Sequence, residues 1–190
     1  MSMSRDEAVA ALHEVEAAQT RTHLARAYTI GSPYLILWGV IWIVGYGLTG
    51  LAPPRSLNAI WLGLVALGVA AGVFLSIRQR ARIRVAGQAM TVQAWRWWTG
   101  SAAIACFSIA SYAVMRPSTS AQYQVYPALV VSLAYMLAGT WRLTRYLWIG
   151  AAVFILSLIG FFFLAPWLPY WMAAVGGGGL VLGGVWLRQP

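Results

Sequence analysis

Acid–base, metal and nucleophilic chemistry each need particular side chains, and this sequence supplies few of them. The carboxylates are Asp6, Glu7, Glu14 and Glu16, and none follows between Ala17 and Pro190. That argues against paired catalytic carboxylates, a Ser/His/Asp triad and a carboxylate cage for a hard cation. It also removes the intramembrane acid that commonly relays protons in pumps. The one cysteine, Cys106, can form neither an intrachain disulfide nor a thiolate zinc site. His13 and His23 project on different sides of a helix and read as solvated surface residues rather than shared metal ligands. The expectation is therefore no metal, no cofactor and no enzyme, since general acid–base work would fall to Tyr, Cys, Arg or a bound group.

What the chain does supply is arginine. Lys and Arg total 13, all of them Arg, and four stand in Arg78-Gln79-Arg80-Ala81-Arg82-Ile83-Arg84. If that stretch continues a helix, Arg78/Arg82 and Arg80/Arg84 repel at i,i+4 unless phosphate or an acidic partner intervenes. Trp95-Arg96-Trp97-Trp98 places three indoles around one guanidinium, which suits a headgroup layer; an aromatic ligand cage is the sharper alternative. The net charge of +9 could suggest nucleic acid, but the arginines flank apolar runs instead of clustering on one folded face, so no nucleic-acid partner is expected. The charge reads as orientation and attraction to anionic lipid headgroups.

The elements that carry these residues are apolar. The chain is 61% hydrophobic and 9% charged, against about 45–50% and about 25% in soluble domains. This predicts an all-α polytopic membrane protein, a six-transmembrane-helix bundle of three helical hairpins. The expected helices are about 34–51, 57–77, 97–115, 123–141, 146–164 and 169–187, within a membrane domain over 33–188. Residues 1–32 lack a secretory h-region and are expected to stay attached as an N-terminal cytoplasmic amphipathic helix, with Ser4 and Glu7 at capping-box spacing. Gly31-Ser32-Pro33 is read as the break between that helix and the first crossing. Residues 78–96 are read as an Arg-rich cytoplasmic loop.

Orientation follows from the positive-inside rule. With both termini cytoplasmic, every arginine except Arg55 and Arg116 falls on the inner side. Arg78, Arg80, Arg82, Arg84, Arg96, Arg142, Arg145 and Arg188 are the expected topology and headgroup anchors. Arginine without lysine points to a GC-rich genome, hence to the cytoplasmic (inner) membrane of a bacterium. Trp38-Gly39, Trp98-Thr99-Gly100 and Trp148-Ile149-Gly150 recur near the starts of odd crossings, a pattern that fits three parallel hairpins.

Two sets of residues could form a site at membrane depth. Trp42, Ser108, Ser132, Tyr135 and Ser157 would line a neutral, aromatic-walled midplane pocket if they converge, although Ser can instead satisfy its own helix backbone. Gly68 and Gly72, and Gly179 and Gly183, have GxxxG spacing and predict close helix packing within the bundle or between protomers of a homo-oligomer. The functional expectation is a non-enzymatic regulatory or accessory subunit that meets a cytoplasmic protein partner through residues 4–28 and the arginine segment. The rival is a small transporter or a binder of a lipid-like ligand in the midplane pocket.

Overall fold

The structure, a computed structural model, describes the backbone of residues 5–85, 93–140 and 143–189, and the side chains in these spans except those of 5–11, 17, 20, 21, 23, 82–85 and 93–98. The described residues are helical, with no strand among them: α1 (Arg5–Leu51), α2 (Pro54–Val85), α3 (Gln93–Met115), α4 (Ser120–Thr140), α5 (Thr144–Phe163), α6 (Leu168–Met172) and α7 (Gly178–Trp186). A 3₁₀ turn at Ala165–Trp167 precedes α6, and a π-helical segment at Ala173–Gly177 joins it to α7. Four helical stretches are long and apolar enough to cross a bilayer: Leu24–Leu51, Pro54–Ala81, Thr144–Phe163 and Ala165–Trp186. Thr99–Met115 is a shorter apolar stretch, and α4, with Gln122 and Gln124 in its first turns, is not among the four.

Helix ends follow local chemistry. After Leu51 the chain meets Pro53-Pro54, which cannot donate, and Pro54 opens α2 at a first-turn position where no N–H is needed. Arg116 closes α3 in the left-handed region at φ 44°, its N–H donating to the Tyr112 carbonyl at 3.1 Å, and Pro117 prevents continuation. α4 starts with a reciprocal capping box that the sequence reading did not identify. The Gln122 N–H donates to Thr119 Oγ1 at 3.3 Å while Gln122 Oε1 accepts from the Thr119 N–H at 3.2 Å.

Two expected boundaries are corrected. Gly31-Ser32-Pro33 does not break the chain: α1 is one helix of 47 residues with Pro33 inside it. The Arg-rich segment is not a loop over its first part either. Arg78 to Val85 continue α2, because Ala, Arg, Gln and Ile favour helix and no Gly or Pro intervenes before Gly87. The last part of the expected loop is helical too, since α3 begins at Gln93, while residues 86–92 lie outside the described residues, as do the side chains of Arg82, Arg84, Arg96 and Arg142 and of Trp95, Trp97 and Trp98.

Packing does not follow the three hairpins. The most extensive contacts join α4 to α5 and α1 to the π segment and α7, whereas α2 packs on α1 and α3 rests chiefly on α4. Inside a bilayer, lipid is as apolar as leucine, so helices associate where backbones approach and dispersion contacts accumulate. Glycine makes that approach on two seams. A Cβ on Gly39 would lie 2.7 Å from the Gly177 carbonyl oxygen, and one on Gly184 would lie 2.7 Å from Ile36 Cγ1 and 3.0 Å from the Ser32 carbonyl oxygen. Between α4 and α5, Gly139 faces the Leu147 backbone, and a Cβ on Gly150 would meet the Ser132 carbonyl oxygen at 2.7 Å.

The expected packing glycines divide. Gly68 meets Ile41 and Gly183 meets Ile149, but Gly72 has nothing within 4 Å and Gly179 reaches only Val153, at 3.9 Å. GxxxG spacing states that two glycines share a face; it does not state that a helix lies there. The expected repeat divides likewise, since Gly39 and Gly150 sit in tight seams while Gly100 has open space.

The seam makes a differential prediction. Gly184→Leu should destabilise by about 1–3 kcal/mol or more through overpacking, whereas Gly72→Leu should leave the melting temperature in detergent close to wild type. Equal melting temperatures for the two variants would contradict the close α1–α7 approach.

Candidate functional site

The most densely bonded polar group of side chains surrounds the point where α1 passes Pro33. Proline removes the N–H that would bond the Thr29 carbonyl, and without support such a position kinks or breaks a helix. Here neighbouring elements hold it. Ser32 is fully buried; its hydroxyl donates to the Gly184 carbonyl at 2.6 Å and accepts from Arg188 Nε at 2.7 Å. Gly31 gives way to the hydroxyl of Tyr146, which occupies the position a Cβ would take. On the other flank Gln79 of α2 grips the same turn, donating from Nε2 to the Ile30 carbonyl at 3.2 Å and accepting from the Tyr34 hydroxyl at 3.3 Å.

A second arginine closes this end of the bundle. Arg145, in the first turn of α5, donates from Nη1 to the carbonyls of Trp186 at 3.1 Å and Gln189 at 2.6 Å. Its guanidinium lies 5.3 Å from the Tyr28 ring centroid and 5.5 Å from that of Trp186. A cation at the C-terminus of α7 meets both its unsatisfied carbonyls and the negative end of its dipole. Tyr28 stacks on Tyr146 at 6.1 Å, and Tyr135 meets Tyr146 edge-on at 5.6 Å, so an aromatic column runs from α1 through α5 to α4. Expected as headgroup anchors, Arg145 and Arg188 thus also bond within the protein, tying α5 and α7 to the base of the long helix. Arg78 instead lies over its own helix's Phe74 ring at 4.7 Å, and among the described residues neither it nor Arg80 pairs with a carboxylate.

The five residues expected to line a midplane pocket are not gathered around one. Ser108 lies on α3, donating to its own Ile104 carbonyl at 2.8 Å. Trp42 is buried against Gly176 of the π segment and edge-on to Tyr46. Ser132 is fully buried, bonds the Leu129 carbonyl of its own helix and lies in the α4–α5 seam, while Tyr135 belongs to the aromatic column. Ser157 is fully buried with no partner for its hydroxyl among the described residues. One cleft does open sideways between α5 and α7, and none of the five lines it.

At the opposite end of the bundle, rings from four helices converge. Tyr46 donates to the Gln124 carbonyl at 2.5 Å and meets Trp61 edge-on at 4.9 Å, and Trp61 Nε1 donates to Thr49 Oγ1 at 3.0 Å. Tyr112 of α3 packs on Tyr123 and Tyr126 of α4. Gln124 Oε1 and the Tyr126 hydroxyl are buried there without a partner among the described residues. Ser32, Tyr46, Gln79 and Tyr146 were not singled out from the sequence. The readable signal for Ser32 was a small hydroxyl immediately before a proline in an otherwise apolar helix.

No group of three His, Cys, Asp or Glu side chains is gathered among the described residues, and Cys106 is exposed on α3. The arrangement around Ser32 fixes α1, α5 and α7 to one another at one end. No protein-family model matches the chain, and no curated protein or solved structure is significantly similar to it.

The node predicts coupling between its members. In a double-mutant cycle, Ser32→Ala and Arg188→Gln should interact by about 0.5–3 kcal/mol in unfolding free energy. Strictly additive effects would show that the two residues act separately.

Proposed function

We propose that this chain is a six-crossing protein of a bacterial cytoplasmic membrane, with both termini on the cytoplasmic side, acting as a non-enzymatic accessory subunit that offers the part of α1 before Leu24 to a protein partner as a rigid arm. Its unbroken first helix carries this reading. At about 1.5 Å per residue α1 is about 70 Å long, against about 30 Å of bilayer hydrocarbon. The membrane-length stretch begins at Leu24, so residues 5–23 extend the helix by about 28 Å beyond it. The sequence places all four carboxylates in or just before that arm, and Leu12 and Val15 on it are 63% and 52% exposed. A side chain such as Leu12 that its own fold leaves in water is available to a partner's apolar surface.

Counting α3 and α4 as crossings is supported by the packing of α4. Ala128 and Ser132 are fully buried in the bundle, and α4 meets α5 along the seam from Gly139 to Ser132. Arginine placement supports the orientation. Arg55 and Arg116 sit at the α1–α2 and α3–α4 turns, at the end away from Arg145 and Arg188, while the Arg-rich end of α2 and the start of α3 lie on the other side. The node around Ser32 gives the arm its leverage, since a load on residues 5–23 reaches α5 and α7 without an intervening hinge.

Deleting residues 1–23 should abolish co-purification of a stoichiometric partner from the native membrane while the bundle's melting temperature in detergent is retained. Leu12→Glu with Val15→Glu should do the same without shortening the helix. Undiminished partner recovery with both variants, or no partner with the wild type, would overturn the proposal.

A further inference from the structure

The lateral cleft between α5 and α7 has a volume of about 260 Å³. Its floor is Ile149 and Val153 of α5 with Gly179 and Gly183 of α7, and its rim is raised by Trp148, Leu182 and Trp186, which are 64%, 72% and 39% exposed. Gly179 is the unusual residue. Its missing side chain serves no close approach within the protein, because a Cβ there would meet only Val153, at 3.9 Å, yet any larger residue would fill the cleft.

The residues lining the cleft are apolar or aromatic throughout, and a cation stands beside one of its walls. From Trp148 to Leu156 it runs about 12 Å along α5 at about 1.5 Å per residue, close to half of a hydrocarbon core about 30 Å thick. Its deep end reaches Val175 in the π segment. Its shallow end carries the two indoles, and the Arg145 guanidinium lies over the Trp186 ring at 5.5 Å. Tryptophan at headgroup depth beside a cation is the combination that meets an anionic lipid.

We propose that this cleft holds one acyl chain of an anionic phospholipid drawn from the leaflet on the Arg145 side, with its phosphate beside Arg145 and its glycerol between Trp148 and Trp186. The length matches one leaflet, the floor is apolar, and the charge at the mouth is opposite to a phosphate. A neighbouring helix is the poorer fit. A helix is about 10–12 Å across with its side chains, far wider than a polymethylene chain, and the narrow occupant needs no side chain of its own to reach the Gly179 floor. The inference requires only that the chain lies in a bilayer, so it stands or falls separately from the arm's role.

Native mass spectrometry of detergent-purified protein, titrated with phosphatidylglycerol and phosphatidylcholine of identical chains, tests it. The wild type should bind one phosphatidylglycerol in preference to phosphatidylcholine. Gly179→Leu should weaken that binding about tenfold, the loss expected when roughly ten heavy-atom dispersion contacts are forfeited. Gly72→Leu, the same change at an open glycine elsewhere, should leave it intact. Ala152→Leu fills the cleft from α5 and provides the same test if Gly179→Leu does not fold. Unchanged phosphatidylglycerol affinity in the filling variants overturns the proposal, as does equal binding of the two lipids by the wild type. A wild-type dimer that Gly179→Leu dissociates would also overturn it, by assigning the cleft to a helix.

Discussion

One buried hydroxyl ties the longest helix to the end of α7 at the turn that proline weakens. Ser32 donates to the Gly184 carbonyl and accepts from the Arg188 guanidinium one residue before a proline that removes a rung of the helix. Proline leaves the Thr29 carbonyl without its helical donor, and the neighbouring helices brace the turn around it through the residues on either side. Gln79 on the Ile30 carbonyl and Tyr146 against Gly31 complete the support. Continuity of α1 is therefore a property of the assembled bundle, not of residues 31–33 alone.

The same economy explains which helices are neighbours. Connectivity suggests three hairpins, yet the closest approaches run from α1 to α7 and from α4 to α5, where Gly39, Gly177, Gly184, Gly139 and Gly150 let backbones meet. With no hydrophobic drive between helices in lipid, the packing that wins is the one with the most dispersion contact and the fewest intervening side chains. The π segment at Ala173–Gly177 belongs to this arrangement, presenting Gly176 to Trp42 and Gly177 to the backbone of Ile43. Arg145 and Arg188 then close the end at which α7 stops, where its last carbonyls need donors.

Much of the helical outline was legible because it depends on local chemistry. Pro53-Pro54 ends α1, Arg116-Pro117 ends α3, and runs of apolar residues mark the stretches long enough to span a bilayer. The missed features depend on partners distant in sequence. Gly31-Ser32-Pro33 reads as a stop until Gly184, Arg188 and Tyr146 are placed beside it. GxxxG at Gly68/Gly72 and Gly179/Gly183 locates small residues on a face, but only three-dimensional packing shows that Gly72 meets nothing within 4 Å and that Gly179 meets α5 only loosely, at Val153. Of the polar residues at membrane depth, Ser108 bonds its own helix backbone on α3 and Ser132 its own on α4, the local alternative that a serine in a helix always has.

Whether α1 is a single rod through Pro33 is settled most directly by pulsed electron–electron double resonance between spin labels at Val15→Cys and Leu51→Cys in a Cys106→Ser background, in lipid nanodiscs. Both positions are exposed, and on an uninterrupted helix they lie ten turns apart, about 54 Å at about 1.5 Å per residue. A single narrow distribution near that separation is the predicted result. A broad distribution centred well below it would place a hinge at Gly31-Ser32-Pro33 and contradict the rigid arm.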